Sequence, residues 1–414
     1  MSRKVWRTEE IWVKESITLK QLAHQVKNLY NQANYIIKYQ LRKSKYFTRE
    51  FELMNILRYH PTYTALPGHT AQQTIKFLCL AWKGYFRSLE EWKKEPEKFN
   101  GKPRPPKYKK KDGLAIIYFT NSQVKIKEEK GEGKFFISFP KRVGLKIVTR
   151  LDPSTKVKFA RLIPMGTKFK LEIVYEKEIE ERKEERPAER VLALDLGVNN
   201  LVAGLTSIPG EKGFLINGRP IKAVNQWFNK RRAKLQSDYA RQGLNTWERK
   251  MLALQLERMF KIADYFHKAS RKIVDYCLEK NIDTIVIGYN SRWKQEVNMG
   301  KKNNQTFVFI PFQSLIDKIT YKAEEKGIKV LPTEESYTSV CSFLDNEEID
   351  FHLHYVGKRT HRGLFISSQG LRINADINSA GNIGRKVFPT LFSVESNYGI
   401  VWGAVVHPVC WKIS

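Results

Sequence analysis

Cysteine is scarce. Cys79, Cys277, Cys341 and Cys410 stand far apart in 414 residues, with no CxxC pair among them. That argues against a disulfide framework and for a reducing compartment. No uncharged apolar run approaches the length of a bilayer span, so no membrane partner is expected. The opening MSRKVWRTEE lacks the apolar stretch of a secretory signal, and a cytoplasmic protein is the expectation. Internal repeats are absent too. Negative charge is in short supply: 43 Asp and Glu face 73 Lys and Arg, a formal net charge of +30. A bound polyanion relieves the self-repulsion of such an excess, and nucleic acid is the obvious one. What the chain has in quantity is apolar residues, 42% of the total, enough to bury a sizeable core over two or three domains.

Aromatics alternate through Val5 to Lys14, which reads as a short strand. Thr18 with Gln21 then suggests a capping box, and Leu19, Leu22, Val26, Leu29, Ala33 and Ile36 follow at helical spacing. A second helical stretch covers residues 72–92, so residues 18–98 form a helical module with a turn at Leu66-Pro67-Gly68. Composition changes at Asn100. Between residues 101 and 150 there are 14 Lys and Arg against 4 Asp and Glu, opening on Gly101-Lys-Pro-Arg-Pro-Pro-Lys-Tyr-Lys. Strands interleaved with Lys and aromatics suit a β-barrel that grips phosphates and stacks bases, with Arg104, Lys107, Lys109 and Lys110 as phosphate contacts. Residues 176–190, mixed in charge, read as a solvated linker or helix end.

Beyond the linker the character is different. Val191-Leu-Ala-Leu194, Leu201 to Leu205 and Phe214-Leu-Ile216 read as three strands. A long helix over residues 246–279 follows, then the strand Thr284-Ile-Val-Ile287, a helix over 311–326, the strand Ile328 to Leu331 and a helix over 376–386. That order is the one of a ribonuclease-H-like α/β sheet. Asp195 ends the first of these strands, at the sheet edge where α/β sites collect, although an Asp there also serves as a turn cap. Asp376 lies in the first turn of a helix carrying Ala375, Ser379, Ala380 and Gly381. Small residues let such a helix lie close to the sheet, beside Asp195; an Asp favoured by the helix dipole is the bland alternative.

Leu192-Ala-Leu-Asp-Leu-Gly197, Ile373-Asn-Ala-Asp-Ile-Asn378 and Ser336-Tyr-Thr-Ser339, with the basic segment at 101, together resemble the TnpB family of transposon-encoded RNA-guided DNA endonucleases, relatives of type V CRISPR effectors. The first two look like RuvC motifs, and the third precedes the family's zinc ribbon. The resemblance implies a multidomain α+β and α/β protein: a helical recognition module (residues 18–100) inside a wedge β-barrel (1–17 and 101–185), then a ribonuclease-H-like RuvC domain (186–414) with a degenerate zinc-ribbon insert near 337–372. It implies a guide RNA from the transposon end, target DNA with a short adjacent motif and one protein monomer per RNA. It also implies phosphodiester hydrolysis with two Mg2+ ions.

Two departures from the family are visible. The strand Thr284 to Ile287 runs into Gly288-Tyr289 where the family usually has a glutamate. The next strand leads to Glu334 and Glu335, and Glu335 is the expected third metal ligand beside Asp195 and Asp376, with Glu334 as runner-up. Neighbouring strand-end residues point to opposite faces, so only one of the two is expected to serve. After Ser339 only Cys341 remains of the ribbon cysteines, and although His352, His354 and His361 are near, paired ligands are missing; zinc is not expected, and the insert reads as plain polar. Lys294 and Lys301 follow the fourth strand as lid residues, and His267-Lys268 on the long helix are candidates to face a guide–target duplex. Two further readings stay open: a nuclease-inactive, repressor-like RNA-guided DNA-binding protein, and a strand-joining transposase that needs no RNA.

Overall fold

The computed structural model describes residues 2–129, 133–180, 187–243, 249–290, 310–361, 363–393 and 405–413. These fall into two compact units, Arg3–Ile179 and the chain from Glu180 onward.

In the first unit, β1 (Ser2–Lys14) leads into α1 (Ile17–Ser44). Leu19, Leu22, Val26, Leu29 and Ala33 are all buried on one face of α1, as their spacing requires. The cap is not the expected Thr18–Gln21 box. Ser16 closes the helix instead, its Oγ accepting from the Leu19 N–H at 3.2 Å, and Thr18 falls inside the first turn. Helices α2 (Glu50–Leu57), α3 (Pro61–Thr64) and α4 (Gly68–Lys94) complete the helical set. Trp82 Nε1 donates to Asn34 Oδ1 at 2.9 Å and so ties α4 to α1.

Six short and long strands follow: β2 (Ile117–Thr120), β3 (Lys125–Glu128), β4 (Phe135–Ser138), β5 (Lys146–Thr149), β6 (Lys156–Met165) and β7 (Lys168–Glu180). They form two sheets, ordered β1-β7-β6-β2 and β3-β4-β5. The stretch from Glu176 was expected as linker, yet it continues β7 as far as Glu180. Ion pairs across the strands keep it there: Glu176 meets Lys158 at 2.6 Å and Lys4 at 3.5 Å.

The second unit is built on one six-stranded sheet, ordered β12-β11-β8-β9-β10-β16. Its strands are β8 (Val191–Leu196), β9 (Asn200–Thr206), β10 (Phe214–Asn217), β11 (Thr284–Gly288), β12 (Lys329–Thr333) and β16 (Val409–Trp411). β8, β9 and β10 run antiparallel in succession; the chain then crosses through α5 (Arg219–Arg241) and α6 (Arg249–Glu279) and returns as β11, parallel to β8. α7 (Phe312–Glu325) carries it to β12, parallel to β11. A small antiparallel sheet follows, β13 (Lys358–His361), β14 (Leu364–Ile366) and β15 (Arg372–Asn374), and then α8 (Ala375–Val387). The strands β8 to β12 and the helices between and after them come in the expected order; the edge strand β16 and the small sheet β13–β15, in a stretch that reads as polar insert, are not expected from the sequence.

Successive side chains of a strand face opposite sides, and β8 feeds two cores accordingly. Leu192 and Leu194 join Phe266, Ile273, Leu315 and Ile319 of α6 and α7 on one face. Val191 and Ala193 join Ile377, Ala380 and Ile383 of α8 on the other. A strand covered on both faces reads as a continuous apolar run, which is why it was visible in the sequence. Among the described residues, no helix is long and apolar enough to cross a membrane.

Candidate active site

Asp195 is the fifth residue of β8, paired across to Ala203 of β9. β11 and β12 lie on its other side, and the chain leaving β12 reaches Glu335 two residues past the strand. Asp376 stands in the first turn of α8, where Asn374 caps the helix: its Oδ1 accepts from the Asp376 N–H at 2.9 Å and the Ile377 N–H at 3.3 Å. The three carboxylates line one cleft of about 1280 Å³, together with Asn200, Arg219, Lys222, Tyr337 and Arg359.

α8 approaches the sheet through Ile377, Ala380 and Ile383. The glycines have a different use from the one their size suggested. A Cβ at Gly381 would stand 2.6 Å from the Phe343 ring, and one at Gly384 2.6 Å from the Phe392 ring, so these residues make room for aromatics. Gly288, at the end of β11, makes room for the acid. A Cβ there would overlap the Ile383 Cδ1 methyl and come within 3.2 Å of Glu335 Oε2. The carboxyl of Glu335 therefore occupies the space beside the strand end at which no carboxylate is encoded.

Electrostatics reflect the crowding. Burial, reinforced by the charges of Asp376 and Glu335, holds the Asp195 carboxyl well above the usual carboxylate range, against the opposing pull of Arg359. Burial and the neighbouring Glu334 push Glu335 up to about 7, with Lys386 opposing. Glu335 Oε2 is buried and has no hydrogen-bond partner. Glu334 is exposed and engaged elsewhere, with Lys386 at 2.8 Å and with Ser336. Asp376 receives the Asn200 amide at 2.8 Å and the Arg359 guanidinium at 3.4 Å. Among the described residues, no three His, Cys, Asp or Glu side chains are grouped to hold a metal ion as they stand.

Arg359, Asn200 and Gly288 were missed by sequence reasoning. Arg359 belongs to a stretch that reads as plain polar insert, but Lys358–His361 is strand β13, and its pairing with β14, itself paired with β15, delivers the guanidinium to the cleft. In the same insert Cys341 is buried with its thiol 3.6 Å from the Asp350 carbonyl, while His352 bonds the Glu348 carbonyl at 2.8 Å.

Arg104, Lys107, Lys109 and Lys110 are exposed on an extended strap fastened to α1 of the first unit. Asn31 clasps Lys109 through both its N–H (2.9 Å) and its carbonyl (3.0 Å), Asn34 donates to the Pro106 carbonyl at 3.2 Å, and Lys27 to the Lys111 carbonyl at 2.6 Å. The backbone is anchored, with the Lys109 ammonium 4.7 Å over the Tyr30 ring and the Arg104, Lys107 and Lys110 side chains exposed. His267 and Lys268 are both exposed on α6, Lys268 pairing with Asp264 at 3.0 Å. Lys294 and Lys301 lie outside the described residues.

Residues 172–294 match the family model for OrfB_IS605, described as a probable transposase, and residues 312–383 match that for the Cas12f1-like TNB domain. The TnpB-like protein ORF457 of Acidianus two-tailed virus is 27% identical over 48% of this chain. Over these stretches the chain is similar to the TnpB family. Another relative is the CRISPR-associated endodeoxyribonuclease Cas12f2 of a Micrarchaeota archaeon, 29% identical over 53% of the chain. The matched stretches span only 42% and 40% of those two relatives. In fold, the chain resembles the mini RNA-guided endonuclease CRISPR-Cas phi3, with a TM-score of 0.50 at 11% identity, over 96% of this chain and 94% of that one.

Proposed function

We propose that this chain is an RNA-guided DNA endonuclease of the TnpB type whose second unit is a ribonuclease-H-like RuvC domain, with Asp195, Glu335 and Asp376 as its metal-binding and catalytic carboxylates. The observation that carries the reading is the meeting of those three acids, from β8, the end of β12 and α8, in one cleft of a strongly basic protein. The residues fit a divalent cation. The donors are all carboxylate oxygens, hard ligands suited to Mg2+; one of them, Glu335 Oε2, is buried without a partner; and Asp195 suffers like-charge crowding that a cation relieves. Bound divalent ions supply charge neutralisation at the scissile phosphodiester.

The chain's own groups do the rest. Asn200 orients Asp376 by donating to its Oδ2. Arg359 balances the negative charge of Asp376 from the insert side. Arg219 and Lys222 give the cleft a basic wall for phosphates. The strap with Arg104, Lys107, Lys109 and Lys110 is the proposed guide-RNA contact of the first unit, and His267 and Lys268 remain proposed duplex contacts. Within the first unit, the helical module at 18–100 and the wedge strands around it are the proposed recognition part. Base pairing to the guide supplies sequence choice, and the protein reads backbone shape and a short flanking motif.

The test is the purified protein with its co-purifying RNA, a target duplex and Mg2+, beside Asp195→Ala. Guide-directed cuts made by the wild type and lost in the variant support the reading. Equal products from both proteins, or binding without cuts in either, overturn it; the second result would identify a nuclease-inactive DNA-binding protein.

A further inference from the structure

Tyr337 has a left-handed backbone, φ +63°, a conformation that Gly or Asn adopts far more readily than an aromatic residue. Neighbouring hydrogen bonds enforce it. The Thr338 N–H donates to the Glu335 carbonyl at 3.2 Å, and the N–H groups of Val340 and Cys341 donate to the Tyr337 carbonyl at 3.2 and 3.1 Å. Asn382 of α8 holds the Thr338 carbonyl at 2.9 Å. The turn delivers the ring to the wall of the cleft, two residues past Glu335. There the side chain is 39% exposed, and Phe351, 65% exposed, stands edge-on to it at 6.5 Å.

Neither ordinary use of a tyrosine accounts for this. A core ring would be buried, and a solvated turn would place a small or polar residue at the strained position. A half-exposed planar ring held rigidly beside a carboxylate cleft is suited to stacking on a flat partner. The cleft also carries Arg219, Lys222 and Arg359, which attract a phosphate backbone. We propose that Tyr337, with Phe351 at its edge, is a stacking platform for an unpaired nucleobase of the strand whose phosphodiester lies over Asp195, Glu335 and Asp376. The platform sets the register of the strand and accepts any base, since every base has a π-face. This inference rests on the nuclease reading for the identity of its strand, but its test needs neither metal nor cleavage.

The probe is a six-nucleotide single-stranded DNA carrying one 5-iododeoxyuridine, irradiated with the full-length protein in EDTA, and adducts are mapped by peptide mass spectrometry. The expected adduct lies on Tyr337 or Phe351, is retained in Tyr337→Phe and falls at least fivefold in Tyr337→Ala. Affinity for the same oligonucleotide should drop on the order of 10-fold in Tyr337→Ala. The slope of log Kd against log salt should not change, because no phosphate contact is removed. Tyr337→Gly separates stacking from folding: it relieves the positive φ, so its Tm should equal or exceed the wild type while the adduct is lost. Adducts confined to other sites, unchanged affinity in Tyr337→Ala, or a loss in Tyr337→Phe as large as that in Tyr337→Ala overturns the proposal. A Tyr337 adduct on a protein that never cuts sinks the nuclease reading alone; cutting with no adduct there sinks this one alone.

Discussion

Gly288→Ala joins packing and chemistry in one substitution. Its new methyl would overlap Ile383 Cδ1, lie 3.0 Å from Ile383 Cγ1 and 3.2 Å from Glu335 Oε2. Ile383 is fully buried in the core between α8 and the sheet, so its side chain has little room to retreat. Overpacking of this kind costs about 1–3 kcal/mol, which for a unit of this size is a fall of roughly 3–10 °C in Tm. Ile383→Val removes the overlapping methyl. Alone it should cost about 0.5–1.5 kcal/mol, yet in the Gly288→Ala background it should restore stability, giving a favourable coupling of about 1 kcal/mol or more. Activity should behave differently. The contact with Glu335 Oε2 persists in the double variant and asks that carboxylate to give by a few tenths of an ångström, so cleavage should fall, though by less than the roughly hundredfold that a misplacement of about 1 Å costs. Thermal melts and single-turnover cleavage on the four proteins of the cycle are the measurements. Additive stabilities would refute the packing argument; full cleavage activity in the stable double variant would refute the assignment of Glu335 to the site.

Chelation with EDTA should abolish cleavage and Mg2+ should restore it, as read on a labelled duplex. Lys322, buried between α6 and α7 with its ammonium donating to the His267 carbonyl and Ser270 Oγ, is pushed down to about 8 from 10.5 by burial and nearby cations. The folded protein thus binds fewer protons than the unfolded chain between those values, so stability should rise with pH from about 8 to 10.5, and urea melts of Lys322→Met should lose that rise. Lys107→Gln and Lys110→Gln should each reduce the salt slope of RNA binding by about 1 without altering Tm. Asn31→Ala should weaken RNA binding and also lower Tm, because it releases the strap backbone at Lys109 while leaving every charge in place.

The elements that were legible in the sequence are those whose burial is one-sided or complete. Val191 to Leu194 and Thr284 to Ile287 are buried on both faces and read as unbroken apolar runs; α1 and α6 each bury a single stripe, and α8 is buried all round from Ile377 to Gly384. Asp195 and Asp376 could be picked out because each stands at the edge of such an element. What was illegible depends on pairing over distance. The run from Glu176 to Glu180 looks like linker until Lys4 and Lys158, the partners of Glu176, are known. β16 has three residues and no pattern, and it exists because Trp411 stacks on Phe214 at 3.6 Å, almost two hundred positions earlier. Arg359 was hidden by its surroundings, a polar stretch with no period to mark it as strand. Gly288 looked like a missing acid, and only the register of β11 against β12 shows what fills the gap.

The short sheet between residues 358 and 374 sets a limit on how far this protein can be trimmed. Loops of uncertain purpose are the natural target when a compact effector is shortened, and residues 340–372 have that look. Excision would leave Asp376 without its counter-ion. It would also take away the Cys341 carbonyl that the Asn378 and Asn382 amides now grip at 2.9 and 2.7 Å, leaving Asn382 only the Thr338 carbonyl. The helix bearing the third acid is steadied from both sides, and a shortened version would need a substitute brace before it could be expected to cut.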